Sequence, residues 1–381
     1  MAAAPPILRR GREPAALLLL VLGVALCFIA VSFLTRQYKE RRDFLARSWY
    51  ARGEQALAAG DSARAIADLR NALAYDRDNS DYYLLLGEAL ERAGQGAESR
   101  SYLLGLLEAD PASGRVNLDL ARIAAGEGAI EQARRYYHNA IYGFWPENAP
   151  EQRRRLRFEL ARLLLRHKLR NEADSELVAL LETMPRGSPA DLQAGELLLE
   201  AGDYSRAYEV FTASLRSDKR NIVALAGAGE AAFQQGDYRS ARSYLARAVE
   251  LGPVNTRAAE LLAAADEIAR VNPLAPLITS AERVRRVRQA VKTASARIAD
   301  CISSTPRAGD AQSASALVSL AAQLAGAEKQ AARLHDNPEA IAAVLSTVFA
   351  AEAAAERNCG PATGADLALL RIGRSGEARV P

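Results

Sequence analysis

The sequence predicts an all-α protein, and a 34-residue spacing is the main observation behind that prediction. Counting from Gly53, a small residue recurs in six successive segments; a second small residue follows twelve positions later, and a large one four positions after that. Two short antiparallel helices approach closely only where one carries almost no side chain, and a large residue one turn on fills the remaining gap. The three sets are Gly53, Gly87, Ala121, Ala161, Gly195 and Gly229; Ala65, Ser99, Ala133, Ala173, Ala207 and Ala241; and Leu69, Leu103, Tyr137, Leu177, Phe211 and Leu245.

Glycine and proline mark the ends of the predicted helices. A glycine recurs where the first helix of each segment must end and reverse through a left-handed residue, and Lys168 replaces it in the fourth segment. Prolines terminate the second helix in three segments. These residues are Gly60, Gly94, Gly128, Gly202 and Gly236, followed by Pro111, Pro185 and Pro253.

Together with Trp49 and Tyr83 at the fourth position, this pattern resembles the tetratricopeptide repeat (TPR). The resemblance covers 46–79, 80–113, 114–147, 154–187, 188–221 and 222–255, with a slip of six residues after Trp145. It implies a right-handed superhelix of six helix pairs, whose concave face holds a peptide or partner protein, and it implies no chemistry. A capping helix over 256–271 completes a solenoid predicted to span 46–271.

A membrane anchor is predicted over 15–35, after a basic, proline-containing tail at 1–14. Ala15 to Leu34 is 20 residues long and carries no charge, which is enough to cross a hydrocarbon layer of roughly 30 Å. A buried soluble helix is one alternative. A cleavable signal peptide is another, although Phe33 to Arg36 stand where a small-x-small cleavage site is expected. Cys27 is interpreted as a packing residue inside the bilayer.

A small bundle of three helices is predicted over 278–360, followed by a tail at 361–381 that is irregular or a docking strip. Cys301 and Cys359 end the first and third helices, so an up-down-up bundle would bring them together as a disulfide. Because disulfides persist in the periplasm, the pair favours a periplasmic body on a single-pass protein of a bacterial inner membrane. Two unrelated thiols, and a cytoplasmic body favoured by the basic residues after the span, remain the alternatives.

The predicted partner-binding groove is formed by the first helix of each repeat, as the resemblance implies. Its centre is basic and apolar, which suits a segment with an acidic centre and apolar anchors. A merely solvated arginine face is the alternative. Trp145 either faces a partner or plugs a widened gap between repeats. The predicted groove residues are Tyr50, Leu84, Arg115, Leu118, Arg122, Arg155, Phe158, Arg162, Leu165, Leu192, Leu199 and Phe233.

No catalytic or metal-binding pattern is found in the sequence. Its three histidines are isolated and paired Cys-x2-Cys motifs are absent. With 49 basic and 46 acidic residues, the charge balance argues against a nucleic-acid partner. We therefore expect a protein that is not an enzyme, needs no cofactor, and binds protein partners and the lipid bilayer. It is either an anchored interaction scaffold or a constitutive structural subunit of a membrane complex.

Overall fold

The computed structural model describes residues 13–184, 188–253, 256–304 and 311–375. These ranges contain seventeen helices and no strand. Most of the predicted tail at 1–14, the end of the tail at 361–381, and Pro185 lie outside the described residues. The helices are α1 Glu13–Ala58, α2 Ser62–Tyr75, α3 Ser80–Arg92, α4 Gly96–Ala109, α5 Gly114–Gly126, α6 Ile130–Tyr142, α7 Ala149–Arg166, α8 Arg170–Leu181, α9 Pro189–Ala201, α10 Tyr204–Ser217, α11 Ile222–Gln234, α12 Tyr238–Leu251, α13 Thr256–Val271, α14 Ser280–Ser304, α15 Ala311–Ala332, α16 Pro338–Cys359 and α17 Gly364–Arg374.

The chain divides into two compact units, residues 1–156 and 157–381. In the first unit the end of α1 pairs with α2, α3 with α4, and α5 with α6. The small–large spacing of the sequence is a direct contact: a Cβ built on Gly53 would lie 2.7 Å from Cγ of Leu69. On Gly87 it would lie 3.2 Å from a methyl carbon of Leu103. The glycines are therefore required by the close approach of the paired helices.

The turn inside each repeat uses the left-handed conformation that the spacing predicts. Gly60, Gly94 and Gly128 have φ angles of 82°, 77° and 75°. Lys168, which replaces glycine in the fourth repeat, has a φ of 62°. The fourth repeat thus keeps the geometry of the turn without the residue that adopts it most easily.

In the second unit, repeats five and six pack by the same rule. Phe211 is fully buried, and a Cβ on Gly195 would lie 2.8 Å from its ring. The same end of the ring also lies against Gly227, where a Cβ would overlap it. In repeat six, a Cβ on Gly229 would lie 2.6 Å from Cγ of Leu245. Phe211 is thus held between two glycines of neighbouring helices.

The carboxy-terminal module, defined here as α14 to α17, contains the three predicted helices and a fourth. The fourth, α17, lies in the predicted tail and buries Leu369, Leu370 and Ile372. It packs on α13, α14 and α16. One hydrophobic core joins α11 to α17, so the predicted boundary after α13 does not separate two cores.

Helix α1 runs without a break from the apolar segment into the first repeat. Its large apolar side chains from Leu18 to Leu34 are exposed. Two described helices are long and apolar enough to cross a membrane: α1, whose apolar window is 0% buried, and α16, whose window is 44% buried in the carboxy-terminal core. The segment of α1 is therefore the one available to a bilayer.

Candidate partner-binding surfaces

The predicted groove residues fall into both units, and each unit presents its own surface. The first helices of repeats one to three, with the start of α7 up to residue 156, form the surface of the first unit, which we call the amino-terminal face. The rest of α7 and the first helices of repeats five and six form the carboxy-terminal face in the second unit. The amino-terminal unit holds Tyr50, Leu84, Arg115, Leu118, Arg122 and Arg155, and the carboxy-terminal unit holds Phe158, Arg162, Leu165, Leu192, Leu199 and Phe233.

The predicted exposed apolar stripe is wrong for five of these residues. Leu84, for example, packs in one cluster with Leu103, Val116 and Leu120. Neighbouring first helices contact each other along the positions predicted to face a partner, so large apolar side chains there become core. Leu192 and Leu199 are only partly buried. The five buried residues, with their exposed fractions, are Leu84 at 7%, Leu118 at 8%, Phe158 at 8%, Leu165 at 7% and Phe233 at 4%.

An aromatic stack lies on the amino-terminal face. The rings of Tyr50 and Tyr82 have centroids 4.9 Å apart and are inclined by 26°. Burial, and then the charges of Glu54 and Asp81, raise the pKa of Tyr50. Tyr82 was not predicted as a site residue because it stands two positions earlier in its repeat than Tyr50 does in the first. The two rings meet only because the adjacent helices pack against each other.

Charged side chains form a row beside this stack. Glu88 accepts a hydrogen bond of 2.6 Å from Arg92, one turn along the same helix. Its other carboxylate oxygen lies 3.8 Å from the Arg115 guanidinium, beyond hydrogen-bonding distance. Half of the Arg115 side chain is exposed. The predicted basic groove is thus an alternating row of acids and arginines in this unit.

Asp119 lies under this row and was missed by the sequence prediction. Only 8% of the residue is exposed. Burial raises its pKa to about 7; the charges of Arg115 and Arg122 oppose the shift, and those of Glu91 and Glu88 reinforce it. Its position in the repeat is not one of those predicted to face inward, so the residue pattern held no signal for it.

The carboxy-terminal face carries different chemistry. The Arg162 guanidinium lies 5.7 Å from the centre of the Phe158 ring, which it covers. Glu230 accepts a 3.1 Å hydrogen bond from Arg257 of the capping helix. The charged groups of Arg162 and Glu230 are therefore both engaged with other residues of this chain.

The chain's own carboxy-terminal helix covers Phe233. The Arg371 guanidinium of α17 lies 4.8 Å from the centre of the Phe233 ring. Tyr238 donates a 3.4 Å hydrogen bond to the Arg371 carbonyl, and Ser375 lies against Gly236. Burial lowers the pKa of Arg371. The structure therefore places an intramolecular occupant where a partner was predicted.

Trp145 packs against repeat three, inside the first unit. Its indole nitrogen donates a 2.8 Å hydrogen bond to the Ala140 carbonyl, and its ring covers Gly114 so closely that a Cβ there would overlap it. Phe144 is held by backbone hydrogen bonds of 2.7 Å to Ala112 and 3.0 Å from Gly114. The Phe144 side chain remains 66% exposed. The indole of Trp145 is therefore engaged with its own repeat.

The two cysteines of the carboxy-terminal module lie side by side. The Cα atoms of Cys301 and Cys359 are 5.5 Å apart, which is the separation of a disulfide. Nearby, Arg297 donates hydrogen bonds to Glu352 at 2.7 Å and to the Gly360 carbonyl at 3.1 Å. The Glu352 side chain is fully buried, and burial followed by the charge of Asp366 raises its pKa to about 8.

Among the described residues, no group of three or more His, Cys, Asp or Glu side chains is arranged to hold a metal ion. Models of the tetratricopeptide repeat match residues 50–114 and 198–265. The chain contains tetratricopeptide repeats over both stretches. Proteins with this repeat are generally scaffolds for protein interaction, and the repeat is typically non-catalytic. No curated protein matches the chain.

The chain is similar to three solved structures, among others. The first is the pilF protein of Pseudomonas aeruginosa, with 21% identity over 58% of this chain and 98% of that one. The second is YrrB, described as a TPR protein with an unusual peptide-binding site, with 17% identity over 50% and 96%. The third is PilW, described as a type IV pilus biogenesis factor, with 16% identity over 57% and 98%. The TM-score is 0.40 in each case.

Proposed function

We propose that this protein is a membrane-anchored interaction scaffold that binds a partner segment on the amino-terminal face. The apolar part of α1 holds the protein in the bilayer, and the unbroken helix carries the first repeat directly above it. The partner segment bears carboxylates and lies across Tyr50, Arg115 and Arg155. Recruitment of that partner serves the assembly of a membrane or envelope complex.

The state of Arg115 is the observation that supports this surface best. Glu88 already makes a short hydrogen bond with Arg92, and its 3.8 Å contact with Arg115 is a loose, exposed ion pair. Such pairs contribute only about 0–1 kcal/mol, so exchanging this one for a carboxylate of a partner costs little. A guanidinium can then bind that carboxylate through two parallel hydrogen bonds.

The aromatic stack gives the same surface a second contact. Tyr50 is half-buried beside the charged row, and its ring is held in place by stacking on the buried ring of Tyr82. Tyrosine supplies a large contact area with few rotatable bonds, which is why it is enriched at binding surfaces. The apolar anchors predicted from the sequence are buried, so the proposed contacts are aromatic and electrostatic.

A periplasmic body completes the proposal. Its support is the disulfide geometry of Cys301 and Cys359, because disulfides persist in that compartment. Alkylation of unreduced protein in intact cells, followed by mass mapping, tests it: free thiols at both positions would remove the reason for this placement.

Site-specific photo-crosslinking tests the binding surface. A photo-reactive residue at Tyr50 should crosslink a defined partner in intact cells, and one at exposed Arg135 on α6 should not. The double variant Arg115→Glu/Arg155→Glu should abolish the crosslink at position 50 with helicity unchanged. Arg122 is left intact so that one of the two guanidinium groups acting on buried Asp119 remains. An unaltered crosslink in the charge-reversed variant would rule out this face.

A constitutive structural subunit is the second candidate, and the connection after α6 favours it. Tyr142 and Phe144 are 70% and 66% exposed, and the Phe144 backbone is held in place on both sides. Fixed, exposed aromatic side chains suit a permanent interface. A photo-reactive residue at Phe144 that crosslinks a stoichiometric neighbour, with no crosslink at position 50, would favour this function over the scaffold.

A further inference from the structure

A basic cavity lies where α1 leaves its apolar segment. It has a volume of about 580 Å³ and belongs entirely to the amino-terminal unit. Helix α1 lines one side, and the end of α2 with the following residues lines the other. Its lining contains three arginines, two tyrosines and no carboxylate: Tyr38, Arg41, Arg42, Leu45, Ala74, Tyr75 and Arg77.

The arginines of this cavity differ in how they are engaged. Arg42 donates hydrogen bonds to the Tyr75 carbonyl, one of them 3.0 Å long from Nε, and its guanidinium lies 6.0 Å from the centre of the Tyr38 ring. These contacts hold the Arg42 side chain between α1 and the end of α2. Within the described part of the chain, neither Arg41 nor Arg77 forms an ion pair, and both are exposed. Two guanidinium groups are therefore available to a ligand.

No carboxylate lines the cavity, and three acids close to it in sequence lie near other groups. Glu40 lies 3.7 Å from Arg36. Asp76 accepts a 3.2 Å hydrogen bond from Asn79. After burial, the charges of Asp76 and Asp43 help to raise the pKa of Tyr82, so both carboxylates lie near that hydroxyl. The cavity therefore keeps a net positive lining.

The position of the cavity along α1 identifies its ligand. Tyr38 and Arg41 follow Leu34, the last residue of the apolar segment, by about 6 Å and about 11 Å along the helix axis. The headgroup layer begins where the hydrocarbon ends and is about 5–8 Å deep on each side. Long arginine side chains reach back into that layer, and tyrosine rings prefer it. A phosphate group of the bilayer is thus within reach of the cavity.

We propose that the cavity formed by Tyr38, Arg41, Arg42, Tyr75 and Arg77 binds the phosphate headgroup of an anionic phospholipid. Arg41 of α1 and Arg77 of the turn after α2 bind the phosphate oxygens, while Arg42 holds the end of α2 in place. The bound lipid thereby holds the helix pair of the first repeat against the membrane surface. This assignment rests on the proposed membrane anchor, since the bilayer is what delivers the lipid.

Native mass spectrometry of the full chain in detergent micelles tests the cavity. The probes are phosphatidylglycerol at low mole fraction, phosphatidylcholine and inorganic phosphate. Phosphatidylglycerol should be retained at least about tenfold better than phosphatidylcholine, and Arg41→Gln/Arg77→Gln should weaken its binding about thirty-fold. Arg41→Lys/Arg77→Lys keeps the charge but loses paired hydrogen bonding, so it should bind with intermediate affinity.

Arg36→Gln/Lys39→Gln is the matched control, because it removes two positive charges from the same stretch of α1 outside the cavity lining. At low mole fraction the lipid creates little surface potential, so this variant should bind within about threefold of the wild type. An equal loss in both double variants would overturn the cavity. Inorganic phosphate bound as well as phosphatidylglycerol would overturn the lipid assignment.

Carbonate extraction separates this proposal from the anchor on which it rests. The wild type and both glutamine variants should remain in the membrane fraction, because the apolar segment is untouched. Extraction of the wild type by carbonate would refute the anchor and the lipid site together. Retention without selectivity for phosphatidylglycerol would refute the lipid site alone.

Discussion

The repeats and the carboxy-terminal module are both helical, yet different contacts hold them together. In the repeats, a glycine of one helix faces one large side chain of its partner, as Gly195 faces Phe211. In the module, the linking contacts are far apart in sequence: Cys301 with Cys359, and Arg297 with Glu352. Local shape complementarity is therefore sufficient to hold each repeat together. The alanine-rich module depends instead on a disulfide and a buried charge pair between residues distant in sequence.

The largest effect is expected from the cysteine pair. A disulfide closing the 58-residue separation between Cys301 and Cys359 stabilises by about 4 kcal/mol on the chain-entropy model. Cys301→Ser/Cys359→Ser should therefore increase hydrogen exchange in α14 and α16, with α2 to α6 unchanged. Cys27→Ser is the control for loss of a thiol. Equal exchange in all three proteins would mean that the module does not depend on this bridge.

The buried ion pair should come next. Arg297→Met leaves Glu352 buried without its guanidinium, and breaking a buried pair costs roughly 3–5 kcal/mol. The folded pKa of Glu352, about 8, lies above its ordinary value of 4.5, so stability falls as pH rises between these values. Losing Arg297 raises that pKa further. The penalty measured by chemical denaturation should therefore be larger at pH 9 than at pH 6.

Arg374→Met is the matched control for the ion pair, since its bridge to Glu356 is exposed. Its stability should equal that of the wild type at both pH values. Two results would contradict the role of the buried charge in this module. One is a similar loss of stability in both variants, and the other is a loss in Arg297→Met that is the same at pH 6 and pH 9.

A smaller effect is expected in the repeats. Gly195→Ala places a methyl group 2.8 Å from the Phe211 ring, whose same atoms are already in close contact with Gly227. Overpacking of this kind costs about 1–3 kcal/mol. Thermal unfolding should show the loss. Gly105→Ala is the control: it lies in α4 with no atom within 4 Å of the new methyl group, and should stabilise by about 0.5–1 kcal/mol.

The last prediction concerns Asp119 under the amino-terminal face, where the effect is a small change of stability per pH unit. Its folded pKa of about 7 exceeds the ordinary value of 3.8, so the folded state binds the proton more tightly. Stability should fall by up to about 1.4 kcal/mol per pH unit as pH rises from about 4 to 7, and then level off. Asp119→Asn should remove this slope. If the pH dependence of stability persisted in Asp119→Asn, it would have to arise from other titratable groups.

The repeat architecture was determined by the sequence, because each repeat is built from contacts between residues sixteen positions apart. Gly53 with Leu69 and Gly229 with Leu245 follow from the spacing alone, and the left-handed turn at Lys168 follows from its place in the repeat. Such contacts lie within one helix pair, so a regular pattern of small and large residues is enough to specify them.

The surface that the repeats expose was decided by the tertiary structure. Leu84 and Phe158 look like binding residues in the sequence, but neighbouring helices bury them. Phe233 is covered by Arg371, a residue 138 positions away that no repeat pattern connects to it. Burial depends on which helices pack side by side, and a periodic sequence describes each helix pair without stating what lies against it.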